Sequence, residues 1–199
     1  MTSNFPDFTG MICDEATLTS ITSAMQDADD PASLALLNNA LSRWRHDSRL
    51  WFLRGAIHAG QHRRDDARAD FVQAIRLAPE FDIARFMLGI LELHDHRIDD
   101  AMIAWGPLDR LPDDNPLRVF RNGLIELVQG RFDTALKQLE RGMALNRSHP
   151  LIDSYVRAII ESVNEMKGAS ASERLNTETE ETGGSHLLLS GYLDNSTRH

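Results

Sequence analysis

Four columns of residues recur every 34 positions along the chain: Gly55, Gly89 and Gly123; Ala67, Ala101 and Ala135; Phe71, Trp105 and Leu139; Leu77, Leu111 and Leu145. One register held over three consecutive copies without a gap means that the chain stacks like units, and this period governs the fold. Glycine inside a helix costs about 1 kcal/mol relative to alanine. A glycine kept at one place in every copy therefore predicts a helix crossing too close for a Cβ. The alanines predict the same on a second helix. The bulky residue four positions after each alanine lies one turn along that face and fills the space the small residues leave. Each copy reads as two antiparallel helices, packed small against large.

These columns resemble the tetratricopeptide repeat, whose units carry a large residue, Leu-Gly, an alanine, an aromatic, a second alanine and a proline. Repeat 48–81 matches with Trp51, Gly55, Ala67, Phe71, Ala74 and Pro79. Repeat 82–115 matches with Leu88, Gly89, Ala101 and Trp105, and repeat 116–149 with Gly123, Gly130, Phe132 and Ala135. The register extends to a degenerate first repeat, 14–47, with helical stretches at 15–28 and 32–44 and Ile21 in the glycine column. A last helix, 150–167, starts with Pro150 in its first turn and caps the stack with a polar face. The expected fold is an all-α, right-handed solenoid of antiparallel helix pairs over 14–167, with a leader 1–13 and a tail 168–199. The tail begins as a small, polar, acidic linker and ends in an apolar segment, Leu187, Leu188, Leu189, Tyr192 and Leu193.

Some positions depart from the pattern. Arg54 and Asn122 precede the glycines where an apolar residue is usual, and His58, Glu92 and Glu126 stand in a column that usually holds tyrosine. Polar groups between helices need partners, and a ladder linking Arg54, His58 and Glu92 is expected. Pro107 falls inside a second helix, removes a backbone donor and should kink that helix or end it early.

A net charge of −9 argues against non-specific binding to nucleic acid or an anionic membrane. No apolar run reaches the roughly 18 residues that suggest a membrane-spanning helix. The start shows no basic and then apolar signal segment. The only cysteine, Cys13, is expected to be a bystander thiol in the leader, and the simplest location is the cytoplasm. No phosphate-binding loop, dinucleotide fingerprint or H-E-x-x-H motif is present, so neither an enzyme nor a cofactor is indicated. His62 and His96, 34 apart, would stack in neighbouring repeats and could approach Asp65 or Asp99. They keep a metal-dependent or enzyme-associated regulator as one alternative, although no spacing matches a known ligand motif. The arginines between 43 and 68 are partly neutralised by Asp47, Asp65, Asp66 and Asp70 and read as a mixed-charge solvated face, with a dock for an acidic partner or the chain's own acidic linker as the sharper alternative.

The resemblance implies that one face of each first helix lines a concave surface. Its residues are Arg49, Phe52, Ala56 and Ala59, then Ile83, Phe86, Ile90 and Leu93, then Leu117, Phe120, Leu124 and Leu127. This surface is apolar, with Arg49, Arg121 and His94 at polar edges. Phe86 and Phe120 are expected to stand accessible in it. An apolar face of this extent calls for an occupant: a partner's apolar segment, the leucine-rich tail docking on its own chain, or a second copy. Some members of the family clamp an acidic C-terminus with lysine, asparagine and arginine. The matching positions here hold Phe52, Ala56, Leu117 and Arg121, so only the arginine is present. The layout is similar to small bacterial chaperones of type III secretion translocators. The function expected is non-enzymatic protein recognition, as an adaptor or chaperone-like binder. A self-associating structural subunit is the other alternative.

Overall fold

The computed structural model describes residues 12–27 and 29–176, which hold nine α-helices and no strand. They are α1 Glu15–Gln26, α2 Asp30–Arg43, α3 Ser48–Gly60, α4 Arg64–Leu77, α5 Asp82–His94, α6 Ile98–Trp105, α7 Pro116–Val128, α8 Phe132–Leu145 and α9 Pro150–Asn176. The chain divides into two compact units, Met1–Leu108 and Asp109–His199. In the first, each helix from α1 to α6 packs on the next in sequence; in the second, α7 packs on α8 and α8 on α9. This is the expected all-α helical-repeat architecture.

Local chemistry sets the helix starts. Asp14, Asp29, Asp47 and Asn115 each accept a hydrogen bond from a backbone N–H of the first turn of α1, α2, α3 and α7, which satisfies donors no intrahelical carbonyl can reach. Pro31 and Pro116 sit where a missing N–H costs nothing. Pro107 acts as expected: α6 has 8 residues where α4 and α8 have 14, and the chain passes at Gly106 into a 3-10 turn, Gly106–Arg110.

The glycine columns are tight crossings. A Cβ on Gly55 would lie 2.9 Å from the Phe71 ring, and one on Gly123 would lie 2.8 Å from the end of Leu139. One on Gly89 would fall within the Trp105 indole, and one on Gly142 within the Phe120 ring. The small residue of one helix thus receives the large residue of its mate in each of the three repeats from 48 to 149.

Two boundaries differ from expectation. α9 runs to Asn176 instead of ending near 167, because the alanines, Glu173, Arg174 and Leu175 favour helix enough to carry it through Gly168. Cys13 is not part of a free leader: it is 4% exposed and belongs to the core formed by α1, α2 and α3 with Leu18, Ile21, Leu37 and Leu50. Residues 1–11 and the segment 187–193, with Leu187, Leu188, Leu189, Tyr192 and Leu193, lie outside the described residues.

Candidate functional site: a cleft between the first and third helices

Asp47 organises this end of the chain. It caps α3 through the Arg49 N–H (3.0 Å), accepts the Cys13 N–H (2.9 Å) and takes the Arg49 guanidinium on both carboxylate oxygens (3.0 and 2.7 Å). Burial opposes its ionisation, yet Arg49 and the two backbone donors hold the carboxyl below its usual range. Arg49 also donates to the Cys13 carbonyl (3.1 Å). These bonds fix the start of α1 against the start of α3. Burial, then the neighbouring Asp14 and Asp47, push the Cys13 thiol up, so it stays protonated and unreactive near neutral pH.

Beside this anchor lies an open cleft of about 390 Å³, lined by Glu15, Leu18, Thr19 and Thr22 of α1, Arg49, Phe52 and Leu53 of α3, and Phe81 before α5. Phe52 is its floor. Its ring packs on buried Phe71 (centroids 5.9 Å apart) and on Phe81 (5.1 Å). Apolar walls with few polar groups suit an apolar side chain, while Arg49, whose side chain is 40% exposed, and Glu15 mark the rim. Of the predicted groove residues, the structure brings Arg49 and Phe52 together here. Leu18, Thr19 and Thr22 are missing from the expected groove because the degenerate first repeat offers no motif to place α1 opposite α3, whereas Leu53 and Phe81 lie in repeat 48–81 but outside the helix face assigned to the groove.

The accessible surface expected from the other groove positions is not found. Phe86, Phe120 and Leu124 are 0% exposed, and Ile90, Leu117 and Arg121 are also buried. Ile83, Leu93 and Leu127 are half-buried. The cause is local packing. The Phe86 ring stacks on Trp105 (6.3 Å), whose indole N–H donates to the Phe86 carbonyl (3.0 Å). Phe120 fills the space left by Gly142. Arg121, expected at a polar edge, pairs with Asp109 instead.

The polar ladder also forms differently. Arg54 clamps Asp70 (2.9 and 2.7 Å), and the His58 Nδ1 lies 3.2 Å from the same carboxylate. Glu92 takes no part; it pairs with Arg68 (3.0 Å) and with Arg97. Arg49, Arg54, Arg63, Arg64 and Arg68 all lie in ion pairs, as a mixed-charge face requires. His62 and His96 hold left-handed backbone positions in the turns before α4 and α6, with φ of 59° and 58°. Among the described residues no group of three His, Cys, Asp or Glu side chains is placed to hold a metal ion. None of the described helices is long and apolar enough to cross a membrane.

Residues 57–114 match the family model of the tetratricopeptide repeat. No curated protein matches the chain.

Proposed function

We propose that this chain, which carries tetratricopeptide repeats, is a non-catalytic recognition protein that grips an apolar segment of a protein partner in the cleft between α1 and α3. Repeats of this kind generally mediate protein–protein interactions and are typically not catalytic. The observation that carries the reading is the cleft itself: Phe52 and Phe81 offer aromatic surface in an open concavity, while Phe86 and Phe120 are spent on the core. One anchor side chain buried against those rings contributes roughly 1.5–3 kcal/mol, and flanking contacts set register. Arg49 and Glu15 give the segment a direction.

The test places the photo-cross-linker p-benzoylphenylalanine at Phe81, and separately at the outward-facing Ile103, in cells that make the protein. Adducts from position 81 should map to one aliphatic or aromatic segment of a partner and should fall when Thr22→Lys narrows the cleft. Partner adducts from position 103 alone, or from position 81 unaffected by Thr22→Lys, would contradict the reading. Self-association has one observation in its favour: Ile103 is 73% exposed, and Ile98 and Met102 of the same helix are also exposed.

A further inference from the structure

We propose that the cleft is occupied in cis by the chain's own N-terminal segment, with Phe5 and Phe8 seated against Phe52 and Phe81, so that a partner must displace it. The inference rests on the reading of the cleft as a site for apolar segments. Three observations favour this occupant over a second copy or the C-terminal tail.

The first is the tether. Cys13 is pinned at the cleft wall through both its N–H and its carbonyl, by Asp47 (2.9 Å) and by Arg49 (3.1 Å), and Arg49 itself lines the cleft. Phe8 is five residues before Cys13, a reach of up to about 17 Å when extended. The second is composition. The stretch before Cys13 puts two phenylalanines three apart, beside a floor made of two phenylalanine rings. The third is charge. That stretch holds no lysine or arginine and a single acid, Asp7, so it brings little charge to an apolar cleft whose rim cation, Arg49, is already paired with Asp47. A segment joined to the site by so short a connection acts at an effective concentration in the millimolar range. A partner in solution would meet it as a competitor.

The experiment uses the full-length chain with p-benzoylphenylalanine in place of Phe81, irradiated after purification, with the adduct located by tandem mass spectrometry. The expected result is an intramolecular adduct on residues 5–8, at constant yield across a dilution series and lost in the Phe5→Ser/Phe8→Ser variant. Adducts confined to α1, an unchanged yield in that variant, or a link between two copies that fades on dilution would overturn the proposal. The same variant separates this inference from the reading it rests on. Partner adducts that form in cells without any intramolecular adduct would defeat cis docking alone. An intramolecular adduct with no partner adduct, even from the double variant, would support docking and defeat the partner reading.

Discussion

At the scale of single residues, the turn between the paired helices shows how far a repeated position can carry a physical requirement. His62, His96 and Gly130 are spaced 34 apart and all hold positive φ, at 59°, 58° and 74°. Glycine meets that requirement without a steric cost, whereas an L side chain there is strained by roughly 1–2 kcal/mol. Both histidines are exposed, so the imidazoles contribute little that would offset the strain. His96→Gly should therefore stabilise the protein by about 0.5–1 kcal/mol after the entropy that glycine adds to the unfolded chain. Chemical denaturation measures this directly, and a clear loss of stability would show that the imidazole holds something in place. The next residue in each turn is Arg63, Arg97 or Arg131. Arg97 pairs with Glu92 and Arg131 with Glu126. The carboxylates that replace tyrosine are thus matched by an arginine five residues on. That spacing is written in the sequence, but only the closed turn shows that it brings the two side chains together.

At the scale of helices, the glycine columns decide how closely each pair can approach. The outcome of adding a methyl group depends on what it meets. At Gly89 it meets the indole of Trp105, a rigid ring held by its own hydrogen bond to the Phe86 carbonyl. At Gly123 it meets Cδ2 and Cγ of fully buried Leu139 and the Cβ of Gln138, and at Gly60 it meets nothing within 4 Å. Overpacking costs typically 1–3 kcal/mol, against a gain of about 1 kcal/mol from helix propensity. Gly89→Ala should be destabilising by about 1–2 kcal/mol, Gly123→Ala destabilising by less than that, and Gly60→Ala neutral or stabilising. Thermal melts of the three variants give the order, and equal melting temperatures for Gly89→Ala and Gly60→Ala would remove the packing role of the column.

At the scale of the whole molecule, the period of 34 made the helix pairs, their small-to-large packing and the early end of α6 at Pro107 legible from sequence. The site was legible only in part. Phe52, Phe86 and Phe120 share one repeat position, and helical spacing cannot tell a groove face from a core face when both are apolar. Their fates separate through partners elsewhere: Trp105 stacks on Phe86, Gly142 makes room for Phe120, and Phe52 is left beside Phe81 at the edge of a cleft. The far wall of that cleft is α1, which comes from the repeat with the weakest motif. Burial of Phe86 and Phe120, with recognition left to the rings of the α1–α3 cleft, is the central claim. Hydroxyl-radical footprinting of the Phe5→Ser/Phe8→Ser variant tests it most directly, because that cleft is open by this account. Phe52 and Phe81 should be oxidised well above Phe86 and Phe120, which should react no faster than buried Phe71. Oxidation of Phe86 and Phe120 as fast as that of Phe52 and Phe81 would contradict it.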